Sequence, residues 1–101
     1  MARVVDVLGG SLTAEILGVS ASQPSRWKSG RERVSEENLA KVIDLDYVLS
    51  RLLLLWEPAV IPHWLTGQNP HLVGRPLDVL RLRGARALLP AIDAEDAGAY
   101  A

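Results

Sequence analysis

Four positively charged side chains lie within one short stretch, and they are the residues of this sequence best suited to bind an anionic partner. Between positions 23 and 33 the chain carries these four cations and a single acid, Glu32. The cations are Arg26, Lys28, Arg31 and Arg33. Guanidinium and ammonium groups bind phosphate oxygens, so the window predicts contacts with a nucleic-acid backbone. The net charge of the whole chain is −1, which argues against binding by bulk electrostatics and directs attention to this window.

Two short helices joined by a tight turn are predicted to position the basic window. Ser11 can cap the first helix and Gly18 can end it. The second helix is predicted to begin with Ser22 or Gln23 as its cap, with Pro24 in its first turn, and to stop near Gly30. This spacing is typical of a helix-turn-helix, whose second helix lies in the DNA major groove. The predicted DNA-binding residues are Gln23, Ser25, Arg26, Lys28, Ser29, Arg31 and Arg33, with Gln23 and Ser25 nearest the bases.

The same pattern has an ordinary alternative. Short helix pairs with a glycine turn occur in helical proteins that bind no DNA, and a few cations often mark a solvated face. The block "LGVSASQPSRWKSGR" nevertheless resembles the Xre-type helix-turn-helix of phage repressors, in which "LGVS" closes one helix and "SRW" followed by "SG" lies in the next. That resemblance implies DNA binding by residues 23–33. Trp27 is predicted to be a core residue, since large aromatic side chains contribute mainly through burial.

A long helix with an apolar face is predicted after Gly30. Ser35 is placed to cap it and Pro58 to end it. Its apolar face is predicted from residues at spacings of three, four or their sums, namely Leu39, Val42, Ile43, Tyr47, Leu49 and Leu53. The run Leu52–Trp56 is apolar nearly all round, and with Tyr47 and Val48 it exceeds what one core face requires. This surplus predicts either a homodimer through the leucine-rich helices or docking of a partner.

The stretch "PHWLTGQNPHLVGRP", residues 62–76, is unusually rich in proline and glycine for this chain. It predicts a short helix ending at Gly67, an ordered loop in which Gly74 takes a positive φ, and a helix starting at Pro76. The pattern resembles the C-terminal toxin-binding domain of Xre/MbcA/ParS-like antitoxins. The residues that carry the resemblance are Trp64, Leu65, Asn69, Pro70, Leu72, Gly74, Arg75, Pro76 and Leu80.

Taken together, the two resemblances cover nearly the whole chain, because that family joins an Xre-type helix-turn-helix to this domain in one small protein. They imply an all-α fold, a small helical bundle with an N-terminal helix-turn-helix at residues 1–46 and a C-terminal helical toxin-binding domain with a tail at residues 47–101. They imply an antitoxin of a type II toxin-antitoxin system. Its partners would be a RES-domain toxin, which degrades NAD, and the operator DNA of its own operon.

The C-terminal segment "IDAEDAGAYA" is expected to be disordered by itself, since alanine and glycine have little to bury. Antitoxins of the resembled family are thought to block the NAD site of the toxin with their C-terminal part. This implies that the slim tail enters the pocket, where its acids meet cations that would hold an anionic dinucleotide. The predicted toxin-binding residues are Trp64, Asn69, Arg75, Asp93, Asp96, Ala97, Gly98, Ala99, Tyr100 and Ala101.

Several function classes are disfavoured by the residue types present. The sequence has no evident Ser-His-Asp set, phosphate loop or paired-carboxylate site, and its two histidines, His63 and His71, lack evident co-ligands. We therefore expect no enzyme activity, cofactor or metal. The absence of cysteine, of a signal-peptide pattern and of a run of roughly 20 apolar residues predicts a cytoplasmic protein outside the membrane. Two alternatives stay open: a stand-alone Xre-type repressor without a toxin, and a protein-binding adaptor with a degenerate helix-turn-helix.

Overall fold

The structure, a computed structural model, describes residues 2–72 and 74–99 of the chain. Within these residues the backbone forms seven α-helices and two 3-10 turns, and it contains no β-strand. The helices are α1 (Ala2–Leu8), α2 (Gly10–Leu17), α3 (Gln23–Ser29), α4 (Glu36–Leu53), α5 (Ile61–Thr66), α6 (Pro76–Arg83) and α7 (Leu89–Ala99). The 3-10 turns span Pro58–Val60 and Ala85–Leu88 and lead directly into α5 and α7. The prediction of an all-α fold is confirmed.

A turn of residues 18–22 joins α2 to α3. Gly18 ends α2 with a φ of 72°, a left-handed conformation that a Cβ would disfavour. Helix α3 then carries Pro24 in its first turn, where the missing N–H removes no helical hydrogen bond. The predicted cap at Ser11 is wrong. Helix α2 begins before that residue, and Gly9 occupies the cap position without any side-chain bond.

Helix α4 is the longest element, with 18 residues. It begins as predicted at Ser35, whose Oγ accepts a hydrogen bond from the backbone N–H of Asn38 at 3.2 Å. The predicted end at Pro58 is wrong, because the helix stops at Leu53. The residues that follow form a turn in which the N–H of Trp56 donates to a carbonyl of the last helical turn at 3.0 Å. This turn packs the Trp56 ring against the core instead of leaving it on an extended helix.

Helix α4 carries apolar side chains on two faces rather than on the single predicted face. The buried face consists of Val42, Leu45, Val48, Leu49 and Leu52. Leu39, Ile43 and Tyr47 are 45%, 58% and 49% exposed. Successive residues turn by about 100° around a helix, so a series with spacings of three and four can mix two faces. The prediction that these three residues share the face of Val42 and Leu49 is therefore wrong.

The apolar run at the end of α4 is divided between the core and the surface. Val48 and Leu52, which the sequence predicts for a contact with another chain, are fully buried within this one. Leu54 is 83% exposed, while Leu55 and Trp56 are half-buried against the core. Among the helices of the described residues, none is both long enough and apolar enough to cross a membrane.

One apolar core joins the two halves of the sequence. Its members extend from Val4 in α1 to Ile92 in α7, and both of these side chains are 0% exposed. Helix α4 runs across the boundary between residues 1–46 and 47–101, while α1 contacts α5 and α2 contacts α6. Each large side chain that is fully buried contributes about 1.5–3 kcal/mol relative to exposure. The two predicted regions therefore depend on the same packing.

Candidate nucleic-acid interface and partner-binding loop

Helix α3 is fixed to the rest of the fold by one buried face. Trp27 is 6% exposed, which confirms its prediction as a core residue, and Pro24, three positions earlier, is buried beside it. Helices α1 and α2 both contact α3. The opposite face of α3 carries Ser25, Lys28 and Ser29, all of them exposed. The helix thus presents a polar surface while its aromatic side chain holds it in place.

A carboxylate that follows α3 binds three of its side chains. Glu32 accepts hydrogen bonds from Nε2 of Gln23 at 2.8 Å, from Nε of Arg26 at 3.1 Å and from Nε1 of Trp27 at 2.8 Å. We call these four residues the Glu32 cluster. The bond from Gln23 and then that from Arg26 lower the pKa of Glu32 below its ordinary value, because each stabilises the ionised carboxylate. The cluster holds the segment after Gly30 against α3.

Three of the predicted DNA-binding side chains bond to other side chains of the chain, and a fourth, Ser29, donates its hydroxyl to the backbone carbonyl of Arg26 at 3.2 Å. Gln23 and Arg26 belong to the Glu32 cluster. Lys28 forms an ion pair with Asp6 of α1. Sequence reasoning counted Glu32 only as the single acid of the basic window, and no pattern in the sequence shows that it collects three donors. Any role of Gln23 or Arg26 in binding a partner requires a change in these bonds.

The other predicted DNA-binding residues are exposed. Ser25, Ser29, Arg31 and Arg33 all reach the surface, and among the described residues neither of these two guanidinium groups makes an ion pair. A shallow groove on this side is lined by Ser22, Ser25, Arg26, Ser29 and Arg31. Hydroxyl and guanidinium groups are the donors that proteins use to contact phosphate oxygens. The groove therefore has the chemistry of a phosphate-contacting surface.

The loop between α5 and α6 is held together by Asn69. This side chain is 6% exposed, and its Oδ1 accepts a hydrogen bond from the backbone N–H of His71 at 2.8 Å. The backbone carbonyl of Asn69 also accepts from the N–H of Leu72 at 3.2 Å. Gly74 has a φ of 101°, which confirms the predicted positive value. Asn69 therefore shapes the loop and is itself turned inward.

Arg75 starts a chain of charges that links α6 to α2. Its guanidinium binds Asp78 through two N–O contacts of 3.1 Å each. Arg81, one turn further along α6, lies 3.8 Å from Asp78 and 3.9 Å from Glu15 of α2. The hydrogen bond from Arg75 lowers the pKa of Asp78 below its ordinary value. Arg75 thus stabilises the beginning of α6, where an acid in the first turn is favoured.

Trp64 and Asp93 connect the C-terminal helix to the rest of the fold. The Trp64 ring packs against Trp56 with a centroid separation of 5.6 Å and a tilt of 48°, and its Nε1 donates to Glu95 at 3.3 Å. Arg51 of α4 donates to Asp93 at 2.7 Å, and this bond is the main cause that raises the pKa of Arg51. Both contacts attach α7 to the helices that precede it.

The predicted tail is largely helical. Helix α7 continues to Ala99, so the expectation of disorder is wrong for residues 93–99. Alanine has the strongest helix propensity of all residues, and the side chains of Asp93 and Glu95 attach the helix to its neighbours. Asp96 is half-buried, and Ala97 and Gly98 are exposed. The remaining predicted tail residues, Tyr100 and Ala101, lie outside the described residues.

An open cleft that sequence reasoning missed lies between α2, α4 and α6. Its charged lining consists of Glu15, Lys41, Asp44 and Arg81, set among leucine, isoleucine and alanine side chains. The alternation of opposite charges gives the cleft no strong preference for one sign of ligand. The cleft forms where the two halves of the sequence meet, so no local pattern predicts it.

Both histidines, His63 and His71, are exposed. Among residues 2–72 and 74–99, no group of three histidine, aspartate or glutamate side chains is arranged to hold a metal ion. Comparisons of the chain with protein-family models, with curated proteins and with solved structures find no match. Function must therefore be argued from the residues and their geometry.

Proposed function

We propose that this chain is an antitoxin of a type II toxin-antitoxin system. It binds a RES-domain toxin, prevents that enzyme from degrading NAD, and represses its own operon in the cytoplasm. The observation that carries the proposal is the occurrence of two units on one core in a single small chain. The first is the basic α2–α3 pair, and the second is the loop held by Asn69 and Arg75. Both units resemble the corresponding parts of Xre/MbcA/ParS-like antitoxins.

DNA binding is assigned to the exposed side of α3 and the segment after it. Arg31 and Arg33 would contact phosphates, and Ser25 and Ser29, which line the shallow groove, would add hydroxyl contacts. The Glu32 cluster supports this role by holding residues 30–33 close to α3. Gln23 would read a base only after exchanging its bond to Glu32 for one to DNA. DNA contact through this surface would also make the affinity fall with salt.

Toxin binding is assigned to the C-terminal half of the chain. Trp64, Asn69 and Arg75 already bind within the chain, so their role is to shape the surface that the toxin meets. The exposed end of α7, with Ala97 and Gly98, has little steric bulk and can enter a narrow pocket. The neighbouring acid Asp96 can meet cations that would otherwise hold the phosphates of NAD, and Asp93 can do so after exchanging its bond from Arg51 for one to the toxin. Inhibition would then occur by occlusion of the toxin's active site.

Two other functions fit some of the same observations. A stand-alone Xre-type repressor would use the α3 surface and need no toxin. A protein-binding adaptor with a degenerate helix-turn-helix is favoured by the net charge of −1 and by the internal pairing of Arg26 and Lys28. Each alternative predicts a different set of partners, so one purification separates them.

The experiment is to purify the tagged chain together with the product of the neighbouring gene and with its promoter DNA. An antitoxin retains a RES-domain protein and also binds the promoter. A stand-alone repressor binds the promoter and retains no toxin, whereas an adaptor retains a protein partner and leaves the promoter free. Either of these last two results would replace the antitoxin proposal.

A further inference from the structure

The exposed apolar residues of α4 form a continuous seam along the helix. Leu39, Ile43 and Tyr47 fall within an arc of about 80°, since each residue advances about 100° around the axis. The exposed Leu54, which follows the last residue of α4 and keeps helical backbone angles, continues the same arc. Ser50 lies within the same arc, and so does the exposed Glu36 at the first residue of α4. The seam lies on the side of α4 opposite the chain's own core, which contacts residues such as Leu45 and Leu52. It is therefore a second apolar face, and the chain itself does not cover it.

Residues of this seam follow the spacing of a two-helix interface. Ala40, Ile43, Tyr47, Ser50 and Leu54 are separated alternately by three and four positions, as the facing positions of a heptad repeat are. The flank of the seam carries charge at intervals of seven residues. Its acidic end has Glu37, and its basic end has Arg51. A helix with opposite charges at its two ends is complementary to an antiparallel copy of itself.

We propose that a second copy of this chain docks on the seam with its α4 antiparallel to the first. In this register Ile43 of each copy lies against Tyr47 of the other, and Ala40 lies against Ser50. The two small residues let the helices approach closely on either side of the central aromatic contacts. A parallel pairing would instead place Tyr47 against Tyr47 and bring the two acidic helix starts side by side.

The same register pairs the charges on the flank. Glu37 of each copy comes within about one helical turn of Arg51 of the other, which gives two ion pairs for each dimer. Within its own chain Glu37 also lies 3.9 Å from Lys41, and a carboxylate with two oxygens can serve both cations. Arg51 also donates to Asp93 of its own chain at 2.7 Å, and a guanidinium with five N–H groups can serve both acceptors. Asp44 stands near the two-fold axis, and Arg86 at 3.6 Å offsets its charge. The flank is thus compatible with the pairing along its length.

The proposed interface is small. A single pair of helices of this length buries less than the roughly 1,200 Å² of total surface that marks a stable interface. The dimer therefore forms and dissociates with concentration. Tyr47 is its central contact, because aromatic residues near the middle of an interface carry most of the binding energy.

Antiparallel pairing also separates the two α3 helices. This separation matters for DNA binding, and so this point rests on the proposed function. The starts of the two α4 helices lie about 27 Å apart along the axis, at about 1.5 Å for each of 18 residues. Each α3 comes shortly before one of these starts, at opposite ends of the pair. The distance is of the same order as the about 34 Å between successive major grooves on one side of DNA.

Sedimentation equilibrium of the full chain without DNA tests the dimer. The double substitution Ile43→Ser and Tyr47→Ser should weaken dimerisation at least about tenfold while leaving the buried core intact. Leu82→Ser is the matched control, since Leu82 is an 81% exposed apolar residue of α6 outside the seam. The control should dimerise like the unmodified chain. A chain that stays monomeric at all concentrations, or a double variant that dimerises normally, would overturn the proposal.

The register has a separate test, because the sequence contains no cysteine. Under oxidation, the Ala40→Cys variant should crosslink to the Ser50→Cys variant when the two are mixed, and neither should crosslink efficiently alone. Efficient crosslinking of each single variant to itself would indicate the parallel pairing and overturn the antiparallel one. A dimer that fails to bind promoter DNA would contradict the proposed function and leave the inference of a dimer standing. A monomer that binds promoter DNA would contradict the dimer and leave the proposed DNA binding standing.

Discussion

The indole N–H of Trp27 donates a hydrogen bond of 2.8 Å to the carboxylate of Glu32, across the end of α3. The Trp27 ring lies in the core, whereas Arg31 and Arg33 on either side of Glu32 are exposed. This contact therefore connects the packing of the fold directly to two exposed cations of the basic window. Together with the bonds from Gln23 and Arg26, it holds the segment after α3 against that helix.

Replacing Glu32 by Gln should lower the melting temperature, because the neutral amide loses the charge-assisted bond to Arg26 and cannot accept all three donors as well. The pKa of Glu32 is lowered in the folded chain, so its stabilising effect is present above the ordinary glutamate value of about 4.3. The effect is lost as the pH falls through the lowered folded value. Thermal unfolding followed by circular dichroism, at several pH values, measures this difference.

The matched control is Glu57→Gln, which removes the same charge from an exposed glutamate between α4 and α5. It should change the melting temperature little. In strong acid Glu32 is protonated, so the Glu32→Gln variant and the unmodified chain should have similar melting temperatures. If their melting temperatures still differ by the same amount there, the carboxylate charge is not the cause of the difference.

Replacing Arg31 and Arg33 by Ala should weaken promoter binding and flatten its salt dependence. Each phosphate that the variant no longer neutralises should reduce the slope of log affinity against log salt by about 0.9. Arg83→Ala is the control, because Arg83 is an exposed arginine of α6 far along the chain from the basic window. Equal slopes for the unmodified chain and the double variant would remove these two residues from the interface. Arg26→Ala is a less specific probe, since it also breaks a bond to Glu32.

Features that depend on short-range chemistry were predictable from the sequence. The start of α4 at Ser35, the end of α2 at Gly18 and the start of α6 at Pro76 each follow from one residue type and its neighbours. The burial of Trp27 was equally predictable, because a large aromatic ring stabilises a short helix mainly by packing its area into the core.

Features that depend on packing between distant segments were not predictable. Which apolar residues of α4 face the core is decided by the helices that cover them, so Ile43 and Tyr47 could not be distinguished from Val42 by spacing alone. The engagement of Gln23 by Glu32 depends on how the chain turns after Gly30. The helix at residues 93–99 is attached to the fold by the bond from Arg51 to Asp93, which joins positions 42 residues apart and so could not be read from the local sequence.

Replacing Leu65 by Ala should destabilise the entire chain in one step. Leu65 is 0% exposed in the C-terminal half, and truncation of a buried leucine costs about 2–5 kcal/mol. Because both halves share one core, the N-terminal helices should unfold at the same temperature as the C-terminal ones. Leu82→Ala, on the surface of α6, should change stability by no more than about 0.5 kcal/mol. Two separate unfolding transitions would contradict a shared core.

Deleting residues 97–101 should leave the fold and DNA binding intact while impairing inhibition of the toxin. Ala97 and Gly98 are exposed, so their loss removes little packing. With the tail absent, the toxin pocket would be less completely closed, and the complex should consume more NAD. Melting temperature, promoter binding and residual NAD consumption are measured on the same truncated protein. Full silencing of the toxin at matched concentration would rule out a role for the tail.

The most direct test of the antitoxin proposal is the rate of NAD consumption by the RES-type product of the neighbouring gene as the full chain is added. We predict that the rate falls to background at a fixed stoichiometric ratio, with both proteins recovered in one complex. A toxin that keeps its full rate in the presence of excess chain, or that forms no complex with it, would contradict the proposal.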